Sequence, residues 1–380
     1  MLAVGRKHDG GLSRTCSASA CRTERSPDDA WWDRQGYLTA SGSTTTPALH
    51  VSSWFDLAAE ALQEAEIFAK NAASPQARTG RFAIIGPNTH CGYDSSTSAT
   101  KVGDLVVGDA RLRYYDRYVQ WFDYWLKGEQ NGVLDMPRYQ YYVIGRNEWK
   151  SSPVWPVVGM RETSMYLASG GRANTAAGNG RLGRAVPRGA ATDAFTYDPM
   201  DPLPSRGGSI CCTGNPKDQP GSYDHRDLES RPDLLVYTTD ALASGVELTG
   251  PLRAEIFLSS DAKDTDVTVK VLDVFPDGRV MNILEGITRA RYRDGFGTPH
   301  LLEPGKVYRV PVDLHATSWY LAPGHKLRVH VSSSNFPRFD RNLNTGGTNY
   351  DETSGLKARN TIHHSTRYPS RLLLPVVDGR

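Results

Sequence analysis

Asp56 and His90 are the residues of this 380-residue sequence whose types and spacing fit acid–base chemistry. Each follows a short apolar run that predicts a buried strand, one ending at Phe55 and the other near Thr89. Because parallel strands end at the same edge of a sheet, both side chains can lie together there. A carboxylate beside an imidazole fixes the ring tautomer and stabilises the imidazolium that forms when the ring accepts a proton. The pair therefore fits proton transfer from a nucleophile.

The spacing also admits plainer roles for these residues. An acid followed by a histidine is the chain order of the last two members of a Ser-Asp-His hydrolytic triad. Asp56 could equally cap the N-terminus of the helix predicted after it, and a lone histidine in a loop can simply be solvated. Spacing by itself favours the plainer roles over the catalytic one.

The predicted elements around the pair alternate between strands and helices. Residues 46–55 and 81–88 predict buried strands, and residues 56–69 are rich in strong helix formers. Residues 109–127 predict an amphipathic helix with Gly128 as its C-terminal stop. The helical spacing of that segment is carried by Leu112, Tyr115, Val119, Phe122 and Leu126. This alternation predicts a parallel α/β sheet with helices on its faces.

After Pro137 the helical pattern gives way to short alternating runs. These runs lie at 138–145, 234–239, 252–260, 265–275, 306–314 and 325–334. The segment ProAspGlyArg at 276–279 predicts a tight hairpin turn, because Asp-Gly accepts positive φ. Residues 169–232 show little period and are expected to form a long surface excursion. The pattern predicts an antiparallel sandwich or jelly roll.

HisValSerSerTrpPheAsp at 50–56 resembles a His-Val-x-Gly-Trp-Tyr-Asp segment, and IleIleGlyProAsnThrHis at 84–90 resembles a Gly-Pro-Trp-x-His segment. These segments surround the catalytic Asp and the catalytic His of the cocaine esterase and X-prolyl dipeptidyl-peptidase family, which this sequence therefore resembles. Further stretches resemble the family in the same order at 121–128, 141–150, 166–171, 230–239, 250–266 and 318–342. The resemblance runs from about Asp28 to the C-terminus.

The resemblance implies an incomplete α/β-hydrolase sheet followed by a jelly-roll β-sandwich. Residues 1–27 are then an unstructured or aberrant N-terminal segment, 28–135 the C-terminal part of the hydrolase domain, and 136–380 the jelly-roll domain. Asp56 and His90 become the catalytic acid and base, and Trp54 and Phe55 candidate residues of the substrate pocket. The expected substrate is a small-molecule ester or a peptide, cleaved at its acyl bond without a cofactor.

The nucleophile of this mechanism is not found. No serine has Gly at both −2 and +2, as the Gly-x-Ser-x-Gly turn of such hydrolases requires. Ser13 and Ser209 have Gly at −2 only; Ser13 lies too close before Asp56, and Ser209 follows His90. Asn88 and Ser53 also replace the Trp and the Gly of the two family segments. We therefore expect a truncated or inactive hydrolase, the alternative being a non-catalytic β-sandwich module that binds a glycan, a peptide or a partner subunit.

Composition and motifs limit which partners, cellular location and metal ions are expected for this chain. Lys and Arg number 44 against 42 Asp and Glu, a net charge of +2 that predicts no sequence-independent binding to nucleic acid. No apolar run of about 18 residues predicts a membrane span. Five cysteines in an irregular arrangement indicate reduced thiols and a cytoplasmic location. Neither Cys211-Cys212 nor His363-His364 has the spacing of a metal site, so no metal is expected. A homo-oligomer is possible.

Overall fold

The computed structural model describes residues 40–56, 61–189, 191–210, 219–348 and 352–378. The segment expected at 1–27, Ser13 and four of the five cysteines lie outside these residues. The described helices and strands are, in chain order, β1 (Ala48–Phe55), α1 (Ala61–Lys70), α2 (Pro75–Thr79), β2 (Arg81–Thr89), β3 (Thr100–Val102), β4 (Leu105–Gly108), α3 (Tyr114–Phe122), β5 (Tyr139–Val143), β6 (Glu148–Ser152), β7 (Met160–Ala168), β8 (Arg181–Gly183), β9 (Thr192–Tyr197), β10 (Leu235–Thr238), β11 (Val246–Ser260), β12 (Asp266–Val274), β13 (Val280–Arg289), β14 (Tyr308–Leu321), β15 (Lys326–Ser332), β16 (Ala358–His363) and β17 (Arg371–Val377).

Four strands form the sheet that carries Asp56 and His90. Their order is β1-β2-β5-β6, and β2 pairs in parallel with both β1 and β5, whereas β6 runs antiparallel to β5. The seven central residues of β2 are buried, which matches its continuous apolar sequence. The strands expected at 46–55 and 81–88 are thus present. The sheet also crosses the boundary expected between residues 135 and 136, because β5 and β6 follow it in the chain.

Helix α3 packs on this sheet through a face that the sequence pattern did not single out. It begins at Tyr114 rather than near Asp109, continues through a π-helical turn at Asp123–Lys127 and ends at Gly128, whose φ is +77°. Its inner face is aromatic: Trp121 packs edge-on against Phe82 with ring centroids 5.8 Å apart. The stripe that marked the helix as amphipathic is largely exposed instead. Periodicity detected the stripe, but the larger aromatic rings of the opposite face fill the groove over the sheet.

The C-terminal part of the chain is all-β, as expected. Eleven strands form one hydrogen-bonded sheet in the order β13-β12-β15-β10-β8-β7-β17-β11-β16-β9, with β14 pairing β11. The predicted turn at 276–279 joins β12 to β13, with Gly278 at φ +89°. The surface excursion expected at 169–232 was partly wrong, because β8 and β9 lie inside it and pair with this sheet. Both strands are too short to produce a detectable period.

The two sheets share one apolar core and meet at the end of β5. The Ile144 amide donates to the Ser318 carbonyl at 3.1 Å, and the Tyr320 amide donates to the Ile144 carbonyl at 2.8 Å. Gly145 follows with φ +88°, and a Cβ there would lie 2.3 Å from the Tyr320 carbonyl oxygen. Only glycine permits this approach, so the sequence at the β5 end is adapted to its contact with β14. In the described residues, no helix combines the length and apolarity needed to cross a membrane.

Candidate functional site

The two parallel strands β1 and β2 position the candidate acid, Asp56, and the candidate base, His90. Phe55 pairs with Thr89 across the two strands, so the residues that follow each, Asp56 and His90, emerge at the same edge of the sheet. The chain then reverses in a tight turn, in which the Gly92 amide donates to the Thr89 carbonyl at 3.0 Å and Cys91 has φ +56°. This turn presents the His90 ring at the sheet edge instead of letting β2 continue.

Asp56 and His90 form a direct hydrogen bond. His90 Nδ1 lies 2.9 Å from Asp56 Oδ1, within the range of about 2.6–3.2 Å expected of a working acid–base pair. The Asp56 side chain is 7% exposed and that of His90 is 43% exposed. The carboxylate accepts the proton of Nδ1, which leaves Nε2 as the lone-pair nitrogen of the neutral ring. Among the described residues Nε2 has no hydrogen-bond partner, so it is available to accept a proton from a further group.

Other described histidines also contact carboxylates, but none of them combines a buried acid with an accessible ring. His300 Nδ1 lies 3.3 Å from Asp294 Oδ2 with both side chains exposed. His325 Nδ1 lies 2.7 Å from Asp273 Oδ1, but its ring is largely buried, and it stacks on Phe275 with centroids 4.4 Å apart. In the part of the chain that the structure describes, only His90 pairs an inward carboxylate with an outward nitrogen.

A second Ser, His and Asp group lies within the large sheet, and its geometry rules out a triad. His364 Nε2 lies 2.8 Å from Asp193 Oδ2 and 3.2 Å from the Ser169 hydroxyl, so the same nitrogen faces both partners. A triad needs the acid on one ring nitrogen and the nucleophile on the other. The Ser169 hydroxyl itself donates to the Asp193 carboxylate. The group is a buried structural cluster.

We expect Asp193→Leu to destabilise the protein by about 3 kcal/mol, because four buried donors lose their acceptor. The donors are Ser169 Oγ, His364 Nε2, Tyr237 OH and the Ala173 amide. Burial pushes the pKa of Asp193 up, but its hydrogen bonds together hold the pKa below the usual value. The measurement is the free energy of unfolding in urea. Asp240→Leu, at an exposed position, is the matched control and should change it by less than about 0.5 kcal/mol. An equal loss of stability in Asp193→Leu and Asp240→Leu would contradict the structural role of Asp193.

His50, on strand β1 just before Asp56, is held neutral. Burial, helped by the charge of Arg81, lowers its pKa from 6.5 to about 4, and its buried Nε2 has no partner among the described residues. The unfolded chain therefore binds this proton more readily than the folded chain. Stability is lost as pH falls from 6.5 to about 4, and no further loss from this group follows below that.

His50→Gln should accordingly flatten the acid limb of the stability profile. We expect wild type to lose about 2 kcal/mol more than the variant between pH 7 and pH 4, measured by urea unfolding at each pH. His300→Gln, at an exposed ring, serves as the control and should follow wild type. Parallel profiles for wild type and His50→Gln would show that His50 is not neutral in the folded protein.

Trp54 and Phe55 pack inside the protein. Trp54 is 5% and Phe55 1% exposed, and the Trp54 indole donates to the Tyr142 carbonyl at 2.7 Å. This placement is that of core residues, because strand β1 turns both rings away from solvent. The pocket role expected for them stays a prediction. A small polar cavity of about 110 Å³ lies beside the His90 turn. Its lining includes Asn88, Thr89, Ser95, Thr97, Thr100 and Lys101.

Two further contacts support the site and escaped sequence reasoning. The Ser209 hydroxyl donates to the Trp54 carbonyl at 3.0 Å, which ties the 199–234 segment to the end of β1. The Tyr115 hydroxyl donates to Asp94 Oδ2 at 2.7 Å, which ties α3 to the loop after His90. The glycine two residues before Ser209 drew attention to this serine only as a nucleophile candidate, which was dismissed, and gave no sign of a positioning contact. No periodicity could have revealed the second contact.

The structure does not assemble a metal-binding cluster in the part of the chain that it describes. No group of three His, Cys, Asp or Glu side chains there has suitable geometry. His363 contacts the Ser259 hydroxyl at 2.8 Å, and His364 belongs to the Asp193 cluster, so the two neighbouring rings point to different partners. Cys91 is a free, exposed thiol next to His90.

Comparison with known proteins identifies the family of this chain. Residues 131–373 match the family described as the X-Pro dipeptidyl-peptidase C-terminal non-catalytic domain. The cocaine esterase of Rhodococcus sp. strain MB1 Bresler is 36% identical over 355 residues, which cover 92% of this chain and 60% of the esterase.

Solved structures agree in fold. The aminopeptidase of a marine sediment Thaumarchaeota archaeon superposes with a TM-score of 0.78 at 27% identity, covering 93% of this chain and 59% of the aminopeptidase. An α-amino acid ester hydrolase superposes with a TM-score of 0.76 at 24% identity, covering 92% of this chain and 58% of that structure. The chain thus spans about three fifths of the length of these relatives. It belongs to the cocaine esterase and X-prolyl dipeptidyl-peptidase family of hydrolases, whose C-terminal non-catalytic domain its residues 131–373 match.

Proposed function

We propose that this chain supplies the acid and base of a serine hydrolase that cleaves ester or peptide acyl bonds. The observation that carries the proposal is the 2.9 Å contact between a buried Asp56 carboxylate and the exposed His90 ring at one sheet edge. In this role His90 Nε2 accepts the proton of a serine hydroxyl as the oxygen attacks the acyl carbon. The same nitrogen then protonates the leaving group, and Asp56 holds the ring and stabilises its charged form.

The nucleophile of this reaction comes from outside the 380 residues. No Gly-x-Ser-x-Gly turn occurs in them, and the serine of such hydrolases precedes the acid and the base in the chain. In this proposal the chain alone is an inactive hydrolase, and 28–135 is the C-terminal part of an α/β-hydrolase domain whose sheet β5 and β6 extend. Of residues 136–380, the part that follows β6 then forms the jelly roll beside it.

A chimera tests the proposal. The part of the Rhodococcus cocaine esterase without a counterpart here is fused ahead of residue 28, where the resemblance begins. We expect a fluorophosphonate probe to label the chimera at the esterase serine and p-nitrophenyl esters to be hydrolysed. A folded chimera that is neither labelled nor active would overturn the proposal.

The second candidate is a non-catalytic module that binds a glycan, a peptide or a partner subunit. It draws support from the description of the matching family, over residues 131–373, as non-catalytic. In that case a folded chimera would be active whether or not His90 is present, or not active at all. The chain would then bind its ligand without taking part in the cleavage of an ester or peptide substrate.

A further inference from the structure

An apolar stripe runs along the outer face of α3 and the π-helical turn that continues it. It consists of Tyr115, Val119, Phe122 and Leu126, which are 66%, 59%, 55% and 78% exposed. Their spacing of four, three and four residues places them on one side of the helix. The opposite side carries Tyr114 and Trp121, which are buried against the sheet. The helix therefore has two apolar faces, and only one of them is covered.

This stripe differs from the scattered apolar residues that most surfaces show. The described residues include twelve large hydrophobic side chains that are well exposed, and four of them lie on this one helix. Single exposed apolar residues are ordinary, whereas contiguous ones mark interaction surfaces. We therefore expect a partner to cover the stripe.

The stripe adjoins the candidate active site. Its first member, Tyr115, donates its hydroxyl to Asp94, which lies four residues after His90. The rings of Tyr93 and Tyr114 pack at a tilt with centroids 5.2 Å apart, which holds the same loop to the start of α3. A polypeptide that covers the stripe can therefore also reach the unpartnered Nε2 of His90.

The missing part of a hydrolase of this family would both cover the stripe and bring a nucleophile to His90. The chain spans 60% of the cocaine esterase and 59% of the aminopeptidase, so about two fifths of each relative has no counterpart here. That remainder has to contain the serine, because this chain has no nucleophile turn. A second copy of this chain would cover the stripe but would bring no nucleophile turn to His90. The stripe is flanked by Asp116 and Lys127, of opposite charge, which does not favour an anionic surface.

We propose that the exposed face of α3 docks the nucleophile-bearing segment of a hydrolase of this family, supplied from outside these 380 residues. The identity of the occupant rests on the proposed function, because it is the serine partner of His90. The docking is a separate claim, since binding requires the stripe and not the chemistry. Apolar burial at the stripe provides the affinity, and the Tyr115–Asp94 contact aligns the bound segment with the His90 loop.

Co-expression tests the docking directly. The full chain, carrying an affinity tag, is produced together with the untagged part of the Rhodococcus cocaine esterase that has no counterpart here. The test variant is Val119→Glu/Leu126→Glu. The matched control is Val158→Glu/Leu356→Glu, which changes the same residue types at positions that are 62% and 58% exposed outside α3. The chain's own melting temperature is recorded for each variant, and all four positions tolerate charge because they are exposed.

We expect the esterase segment to co-purify with wild type and with the control in a 1:1 complex. The test variant should retain about 1% or less of that complex while its own melting temperature stays unchanged. Absence of a complex with wild type would overturn the proposal, and so would a complex that forms equally well with the test variant. Self-association of the chain that is abolished by the test variant would identify a second copy as the occupant and would also overturn it.

The same samples separate docking from function. A complex that depends on the stripe but hydrolyses no ester supports the docking and contradicts the proposed function. Conversely, an active chimera whose activity persists with Val119→Glu/Leu126→Glu supports the function and contradicts the docking. The two proposals therefore fail by different results.

Discussion

The purified 380-residue chain should show no turnover of p-nitrophenyl esters or X-Pro p-nitroanilides that depends on His90. A general base accelerates acyl transfer only through the nucleophile that it deprotonates, and His90 Nε2 has no hydroxyl partner among the described residues. The backbone donor that follows the nucleophile is missing with it, which removes a further factor of about 10²–10³. In the chain alone, His90→Ala should therefore leave the background rate unchanged.

In the chimera the same substitution should have a very large effect. We expect His90→Ala to lower kcat by about 10⁴-fold or more, because the serine loses its proton acceptor while binding and oxyanion contacts persist. His300→Ala is the matched control, since its ring is also exposed and also contacts an aspartate, and it should change kcat less than twofold. Turnover by the chain alone that disappears in His90→Ala would instead identify an internal nucleophile, with Ser13 and Ser209 the first to substitute.

Asp56→Asn in the chimera should lower kcat by about 10⁴-fold with little change in KM. The carboxylate accepts the Nδ1 proton at 2.9 Å and so keeps Nε2 unprotonated. An asparagine amide can donate to Nδ1, which shifts the proton to Nε2 and removes its ability to accept one from serine. The kinetic measurement is paired with ¹⁵N NMR of the histidine ring, which reports the tautomer directly.

The tautomer distinguishes this effect from simple destabilisation. We expect Asp56→Asn to keep the melting temperature within a few degrees of the parent while the Nδ1 and Nε2 shifts exchange character. Asp294→Asn, which alters the exposed contact to His300, should change neither kcat nor the His90 spectrum. A loss of activity without a change of tautomer would contradict the orienting role of Asp56.

The family and the acid–base pair were predictable because they depend on local sequence. Strand-ending Asp56 and His90 follow apolar runs that form strands whatever surrounds them, and parallel pairing then brings their ends together. The hairpin at 276–279 was equally predictable, since Asp-Gly chemistry specifies a tight turn. Short strands such as β8 and β9 were missed, because three to six residues carry too little periodicity to stand out from a loop.

By itself, the sequence determined the strand ends, the family and the absence of a nucleophile turn in these residues, because each is a property of adjacent residues. Only the tertiary structure decided which face of α3 is buried. Periodicity marked the stripe that proves to be exposed, whereas the burial of the Trp121 face follows from how its rings fill the groove beside Phe82. The contacts of Trp54 and Ser209 also needed the tertiary structure, since both join chain segments that meet only in the folded protein.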